Sequence, residues 1–316
     1  MSQATFEQLG EFLRSRDCFE ILTHAYPDGD TLGSGFALAL ALNQIGKRAR
    51  VITTGVPKNF EFLSRLVPAQ DFEAQTVVSV DVADEKLLGD NIEAYEGRID
   101  LCVDHHAINR VNAKQKHVDP HAASNCEILY RLFRFMDIEI TADITDCLYT
   151  GVSTDTGCFR YSNVTARTHR IAADLIERGA DHTAIDVAMF ETKDMSFLRL
   201  QQKCLEALEL YFDGRVSVLS ITRALLDETG CKDEDCDAIV ALSRQIAGVQ
   251  IGVTFKEKKD GTLKVSVRTH EGVDASAICA VFGGGGHKRA AGCQFTCRKD
   301  EALKQMLPAL ECALAE

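Results

Sequence analysis

The chain has 316 residues, of which 46% are hydrophobic and 26% charged, which is typical of a globular protein large enough for two domains. Its formal net charge of −12 argues against non-specific binding to long duplex nucleic acid, because such binding requires a basic surface. The segment MSQATFEQLG lacks the features of a signal peptide, and no apolar stretch reaches the ~18 residues of a membrane span. We therefore expect a cytoplasmic protein without membrane contact, in which the 12 cysteines are reduced.

The first half of the chain alternates between apolar runs and helical patterns. Strands are predicted at 19–24, 48–55, 76–81 and 99–106, and a helix at 31–46. The strands are continuously apolar, which is typical of a parallel sheet covered on both faces. Further helices are predicted within 124–138, 142–157 and 165–179. This order predicts an α/β domain with a mainly parallel sheet.

The second half of the chain has a different pattern. Residues 191–214 are predicted as a helical connector, which leaves 1–190 as the first domain and 215–316 as a smaller α+β domain. A β-hairpin is predicted at 249–269, because two β-type runs flank the turn-forming pair Asp260–Gly261. A short helix at DASAICAVF, a GGGGH loop and a C-terminal helix follow. We expect the active site in the cleft between the two domains.

Acidic and imidazole side chains collect where the predicted strands end, which is where open α/β sheets bind their ligands. A lone member of this set would be compatible with a helix cap, a turn or a solvated loop. The set is His24, Asp28, Asp30, Asp81, Asp104, His105, His106 and Asp155.

Together these side chains predict a metal site, because carboxylates packed within a few Å repel each other and a cation removes that repulsion. About six ligands fit two ions better than one, and two ions are the usual device for hydrolysing phosphoesters. A mixture of His and Asp suits Mn²⁺, Zn²⁺ or Fe²⁺, whereas an all-oxygen set would suit Mg²⁺ or Ca²⁺.

A basic, glycine-rich segment predicts an anion site in the second domain. Residues 255–300 contain nine Lys or Arg and five Asp or Glu, which favours a small anionic ligand over a polymer. Within this segment, FGGGGHKRAAG places four glycines before His287, and glycine runs let backbone N–H groups approach an anion closely. A flexible linker is the alternative, but the run lies between an apolar helix and an apolar strand, where no linker is needed.

The motifs HAYPDGDTLGS, VSVD, DHH and TDTGCF, in that order, resemble the four motifs of the DHH phosphoesterase family. The stretch from VSVRT to VDASAICAVFGGGGHKRAAG resembles the C-terminal domain associated with that family. The resemblance covers nearly the whole chain and is strongest to the short bifunctional oligoribonucleases (nanoRNases). It implies an exonuclease with two divalent metal ions, Mn²⁺ first among them. Such an enzyme hydrolyses short single-stranded RNA and removes the 3′-phosphate of 3′-phosphoadenosine 5′-phosphate (pAp).

The resemblance also implies how the metal ligands are divided. One metal would be held by His24 and Asp28, the second by Asp30, His105 and Asp155, and both by the bridging Asp81.

Two neighbouring residues are implied as catalytic. Asp104 would orient His105, since a ligating histidine commonly donates its other N–H to a carboxylate. His106 would face the phosphate as a hydrogen-bond donor or acid.

In the second domain, the resemblance implies a grip on the terminal phosphate and end nucleotide of the substrate. The residues implied are Ser266, Arg268, Gly285, Gly286 and His287. Three further residues could touch the substrate, namely Arg289, Asn109 and Arg110.

Two other functions are compatible with the same residues. A phosphodiesterase of linear or cyclic dinucleotides (pApA, pGpG or cyclic di-AMP) would show the same pocket residues. A non-catalytic nucleotide sensor would use the site for binding only. The sequence leaves the oligomeric state open, a homodimer included.

Overall fold

The computed structural model describes residues 3–315, apart from the side chains of residues 234, 235 and 237. The chain divides into two compact units, Met1–Thr192 and Lys193–Glu316. None of the helices in the described part of the chain is long and apolar enough to span a membrane.

The first unit contains a five-stranded, fully parallel sheet in the order β2-β1-β3-β4-β5. The four predicted strands are present, and the α/β prediction is confirmed. The fifth strand has the polar sequence QKHV and lies at the edge of the sheet, so it lacks the apolar signal of the buried strands. The strands are β1 (Phe19–Leu22), β2 (Ala49–Ile52), β3 (Thr76–Val80), β4 (Leu101–Asp104) and β5 (Gln115–Val118).

Helices cover this sheet, and several begin at a Thr, Ser or Asp whose side chain accepts a hydrogen bond from the first helical turn. A 3₁₀ turn at Lys58–Phe60, a kinked 3₁₀ segment at Glu85–Asn91 and a π-helical turn at Val187–Glu191 complete the unit. The helices are α1 (Phe6–Ser15), α2 (Gly29–Gln44), α3 (Glu61–Ser64), α4 (Ile92–Tyr95), α5 (Asn125–Phe135), α6 (Ala142–Asp155), α7 (Ala166–Glu177) and α8 (His182–Asp186).

Helices α2 and α6 pack very closely, because glycines lie where they meet. A methyl group on Gly33 would come within 2.4 Å of the Cys147 carbonyl oxygen, which no side chain tolerates. A methyl group on Gly151 in α6 would lie 2.7 Å from Oδ1 of Asp30 in α2, and 2.2 Å from the sulfur of Cys126 in the neighbouring helix α5. This close packing sets the distance between the beginning of α2 and the end of α6.

The second unit contains a six-stranded mixed sheet in the order β10-β11-β9-β8-β7-β6. The predicted hairpin is confirmed as the antiparallel pair β8–β9. The elements are α9 (Met195–Glu206), β6 (Glu209–Tyr211), β7 (Val216–Ile221), α10 (Arg223–Thr229), a 3₁₀ turn (Asp233–Cys236), α11 (Asp237–Leu242), β8 (Ile251–Glu257), β9 (Leu263–Thr269), α12 (Ala275–Ala280), β10 (Gly285–His287), β11 (Ala290–Phe295) and α13 (Lys299–Ala315).

Two segments of this unit differ from the simple pattern expected. The GGGGH segment, predicted as a loop, forms the short edge strand β10, because its backbone pairs with β11. Helix α9 lies in the stretch predicted as a connector, and its Phe197 and Leu200 belong to the same buried cluster as Leu219 and Ile221. By its contacts, α9 is therefore part of the second unit.

Candidate metal centre

The carboxyl ends of β1, β3 and β4 lie side by side, because these strands are neighbours in the parallel sheet. The chain continues from these ends to His24, Asp81 and His105. Two more carboxylates come from the closely packed helices, with Asp30 in the first turn of α2 and Asp155 in the last turn of α6. The sheet and the two helices thus direct five potential ligands to one place.

The potential ligand atoms form three overlapping groups, and within each group the atoms lie within 4.8 Å of one another. The first two groups divide the side chains as the family resemblance implies, while their role as ligands stays a prediction. The groups are His24, Asp28 and Asp81, then Asp30, His105 and Asp155, and finally Asp81, His105 and His106.

The imidazoles do not simply pair with these carboxylates. His105 Nε2 lies 3.4 Å from Asp81 Oδ1, 3.7 Å from Asp30 Oδ2 and 3.7 Å from Asp155 Oδ2. His24 Nε2 lies 3.6 Å from Asp28 Oδ1 and 3.9 Å from Asp81 Oδ2. Each separation exceeds the ~2.7–3.2 Å of a hydrogen bond. The side chains therefore surround a common space instead of bonding to one another.

Asp30 is fixed by the beginning of another helix. The backbone N–H groups of Asn125 and Cys126, in the first turn of α5, donate to its two oxygens at 2.6 and 2.9 Å. Asp28, one residue before α2, accepts from the N–H groups of Asp30 and Thr31 at 3.1 Å. Asp28 therefore caps α2 and also contributes an oxygen to the first group.

Asp81 combines an unusual backbone with an unsatisfied side chain. Its φ of +56° lies in the left-handed region, which is uncommon for a residue other than glycine. The residue is 3% exposed, and Oδ1 has no hydrogen-bond partner in the part of the chain that the structure describes. A buried carboxylate oxygen without a donor is costly unless a cation approaches it.

The pKa values of the buried carboxyl groups also indicate a site for a cation. Burial raises the pKa of Asp30, and burial together with the charges of Asp30 and Asp28 raises the pKa of Asp81 well above its usual range. Burial and the charge of Asp30 raise the pKa of Asp155 to about 7. The centre therefore gathers more negative charge than its own residues compensate. Imidazole and carboxylate donors around an uncompensated oxygen are a set of groups that could hold divalent metal ions.

The partner of Asp104 differs from the one we predict. Asp104 Oδ1 lies 2.8 Å from Nδ1 of His106 rather than bonding His105, because His106 turns back toward the end of β4. Asn109 donates to the other oxygen of Asp104 at 2.7 Å. Burial lowers the pKa of His106, but the hydrogen bond and charge of Asp104 outweigh burial, so the net shift is upward. Asp104 thus orients His106 and favours its protonated form.

Asn109 and Arg289, whose contact with substrate stays a prediction, both make hydrogen bonds within the protein. The amide of Asn109 is used within the protein, where it also donates to the Val82 carbonyl and accepts from the Lys116 ammonium. Arg289 donates to the backbone carbonyls of His270 and Val273, which ties it to its own domain. Arg110, by contrast, is exposed.

The remaining predicted substrate residues lie together in the second unit. Strands β10, β11 and β9 are adjacent, so Gly285 pairs with Gly292, which in turn pairs with Ser266. The same register places His287 opposite Ala290 and Ala290 opposite Arg268. The glycine-rich strand and the Ser-x-Arg strand therefore flank β11 at the same end of the sheet. Gly286 has a φ of +146°, a conformation that only glycine adopts readily.

Sequence reasoning missed two groups that support the centre. The first turn of α5, which binds Asp30, carried a usable signal, because Ser124 and Glu127 have the Ser-x-x-Glu spacing typical of a helix beginning. The amide of Asn109 gave no signal for its bond to Asp104. The close approach of Gly151 to Asp30 could also not be read from spacing, since it depends on the packing of α6 on α2.

Two features define the class to which this protein belongs. The first is an α/β unit with an acid- and histidine-rich site at its strand ends, and the second is a following mixed-sheet unit with a glycine-rich edge strand. Residues 19–152 match the family model described as the DHH family, N-terminal domain, and residues 213–316 match the DHHA1 domain. The chain belongs to the DHH family.

Named relatives extend over nearly the whole chain. A Thermus thermophilus protein named "Bifunctional oligoribonuclease and PAP phosphatase NrnA" is 31% identical over 92% of this chain and 88% of its own length. A longer Listeria monocytogenes protein named "Cyclic-di-AMP phosphodiesterase PdeA" is 24% identical over 96% of this chain and 49% of its own length.

Among solved structures, an exopolyphosphatase-related protein from Bacteroides fragilis is similar with a TM-score of 0.86 and 26% identity. The match covers 97% of this chain and 95% of that protein, so the fold is shared along nearly the full length.

Proposed function

We propose that this protein is a two-metal phosphoesterase that hydrolyses short oligoribonucleotides to mononucleotides and removes the 3′-phosphate of pAp. The observation that carries the proposal is the convergence of three ligand groups, two of which share Asp81, whose buried Oδ1 has no hydrogen-bond donor among the described residues. The name of the Thermus relative, which is similar over most of both chains, supports the choice of substrates.

In this proposal, His24 and Asp28 would hold one divalent ion, Asp30, His105 and Asp155 would hold the other, and Asp81 would contribute to both. A metal pair supplies Lewis-acid polarisation of the phosphate and a water of lowered pKa. The chain positions these ligands through the strand ends, the cap of α2 and the first turn of α5. Mn²⁺ is proposed as the metal because a mixed imidazole and carboxylate set suits it.

The residues around the ligands have separate tasks. His106, held by Asp104 and favoured in its protonated form, donates a hydrogen bond to the phosphate and supplies a proton to the leaving oxygen. Asn109 fixes Asp104 from its other side. In the second unit, Ser266, Arg268 and the glycine-rich strand β10 bind the terminal phosphate, since Arg and exposed backbone N–H groups suit that anion.

We place this activity in the cytoplasm. All 12 cysteines are free thiols, and most of them are buried. Chains that persist in oxidising compartments generally pair their cysteines, so free thiols fit a reducing compartment.

The test is turnover of pAp, an RNA dinucleotide, an RNA five-mer and cyclic di-AMP, each with Mn²⁺, Mg²⁺ or Zn²⁺. We expect hydrolysis of pAp and the RNAs, fastest with Mn²⁺. Asp81→Asn serves as the inactive control, while Asp90→Asn, at an exposed position, should behave as wild type.

Cleavage of cyclic di-AMP alone would overturn the proposal in favour of the second candidate, a cyclic dinucleotide phosphodiesterase, which the name of the Listeria relative favours. Binding without turnover of any of the four compounds would indicate a nucleotide sensor.

A further inference from the structure

The second unit contains a cavity of about 480 Å³ at the turn end of the β8–β9 hairpin. The hairpin, the beginning of α10 and the segment joining β11 to α13 enclose it. Its acidic side chains are Glu257 and Asp300. Its cationic side chains are more numerous, namely Arg223, Lys258, Lys259, Arg298 and Lys299.

Three of these cations are not neutralised by ion pairs. Arg223 pairs with Asp233 and Lys299 pairs with Glu209. Lys258, Lys259 and Arg298 are exposed, and none of them forms an ion pair with any side chain described between residues 3 and 315. A concave surface with surplus positive charge concentrates anions.

The cavity offers charge and hydrogen-bond donors without a surface for stacking a base. Helix α13 has 17 residues and begins at Lys299, which lines the cavity together with Asp300. The positive end of the helix dipole therefore lies beside the cavity, where Asp300 and Glu301 of the first turn offset part of it. The apolar side chains of the lining are Leu263 and Cys297, and it includes no aromatic ring. Nucleic-acid bases are usually held by stacking on aromatic rings, so this site suits phosphate groups rather than bases.

Strand β9 runs from the cavity to the predicted substrate residues, with Leu263 at its first position, Ser266 in its middle and Arg268 near its other end. Leu263 lines the cavity. From 263 to 268 the strand rises about 17 Å, at about 3.3–3.4 Å per residue. Stacked nucleotides advance about 3.4 Å each, so this length corresponds to about five of them. Because side chains alternate along a strand, exposed Lys264 shares a face with Ser266 and Arg268, whereas Leu263 points to the opposite, buried face. The route from the cationic side chains of the cavity to Arg268 therefore passes Lys264 rather than Leu263.

We propose that this cavity is a second phosphate site, which binds the backbone of a short single-stranded oligonucleotide whose end is held at β10 and Arg268. The inference rests on the proposed function, because it assumes that Ser266 and Arg268 hold the substrate end. The site gives the second unit a preference for strands of about four or five nucleotides, whereas pAp and dinucleotides are too short to reach it.

The test compares a Lys258→Gln/Lys259→Gln/Arg298→Gln variant with Lys304→Gln, an exposed lysine of α13 outside the cavity. In the triple variant, we expect the KM for an RNA five-mer to rise about tenfold with kcat unchanged. The salt dependence of that KM should weaken by about 2 in log–log slope, at about 0.7 per lost phosphate contact. Turnover of pAp and of a dinucleotide should stay at the wild-type level, and Lys304→Gln should change none of these values.

A five-mer KM equal to that of wild type, or an equal loss on pAp and the five-mer, would overturn the proposal. Binding of a labelled five-mer in the presence of chelator, measured by fluorescence anisotropy, does not depend on hydrolysis. It therefore distinguishes failure of this proposal from failure of the proposed function. There the triple variant should bind about tenfold more weakly even if no compound is hydrolysed. If the variant loses only tripolyphosphate binding and keeps five-mer binding, the cavity serves a free polyphosphate and the proposal is wrong.

Discussion

At the residue scale, Asp81 shows how the protein positions a carboxylate for a cation before the cation binds. Its backbone is left-handed, and its carboxylate lies between His24 and His105, where Oδ1 has no hydrogen-bond donor in the described part of the chain. Both the backbone and the buried oxygen cost free energy, and such costs concentrate at functional sites. The neighbours of Asp81 therefore stabilise a geometry that the residue would not adopt alone.

The adjacent histidines have different surroundings, which predicts different losses. His105 faces Asp30, Asp81 and Asp155, so His105→Ala should reduce Mn²⁺ affinity by at least about tenfold. His106 is held by Asp104, so His106→Ala should lower kcat about 10²-fold while changing Mn²⁺ affinity little. Isothermal titration with Mn²⁺ and single-turnover rates at saturating metal measure the two quantities. Equal losses of affinity in both variants would contradict this division.

At the scale of elements, the contact of α2 with α6 fixes the spacing of the carboxylates. Gly151 lies one turn before Asp155, and a methyl group there would approach Asp30 Oδ1 to 2.7 Å. The same methyl group would meet the sulfur of Cys126, which follows Asn125 in the turn that binds Asp30. The interface therefore controls both the fold of the first unit and the position of one potential ligand.

Gly151→Ala should destabilise the protein by about 1–3 kcal/mol, the usual cost of overpacking, and should weaken Mn²⁺ binding because Asp30 must move. Gly10→Ala in α1 is the matched control, since its methyl group would lie 3.4 Å from Met136 and alanine favours a helix. Denaturant unfolding and Mn²⁺ titration of both variants provide the test. A Gly151→Ala protein as stable as Gly10→Ala would show that α6 can shift freely.

At the scale of the whole molecule, the gathered carboxylates link stability to pH and to metal. Asp155 has a pKa of about 7 in the folded chain. The same group in an unfolded chain has a pKa of about 3.9. Between these values, the folded form holds a proton that the unfolded form releases, so this group contributes less stability as pH rises.

We therefore expect Asp155→Asn to flatten the pH dependence of Tm measured in chelator. The wild-type Tm should fall relative to that of the variant as pH rises from about 5 to about 8. Added Mn²⁺ should raise the wild-type Tm more at the higher pH, because protons no longer compete for the ligands. Parallel Tm curves for the two proteins in chelator would contradict the assigned pKa shift.

The sequence allowed the main features of the fold and the positions of the polar strand ends to be predicted, because buried parallel strands are continuous apolar runs. It did not predict β5, whose polar sequence lies at the edge of the sheet, or the strand formed by the glycine run. The contacts that orient the centre were also out of reach. Asp30 meets Asn125 across 95 residues, and the Asn109–Asp104 bond depends on where a loop turns after β4.

The glycine contacts of α2 and α6 restrict how the sequence can change over time. At Gly29, Gly33 and Gly151, even the smallest side chain would enter space held by Thr154, Cys147 or Cys126. At Gly33 the obstacle is the backbone carbonyl of Cys147, which no substitution opposite it removes. At Gly29 and Gly151 the nearest atoms belong to the side chains of Thr154 and Cys126, so a single substitution is costly and a second, smaller residue opposite it relieves the cost. Lineages that retain the centre should therefore keep Gly33, and should exchange Gly29 or Gly151 mainly together with Thr154 or Cys126, while the exposed positions of the same helices diverge freely.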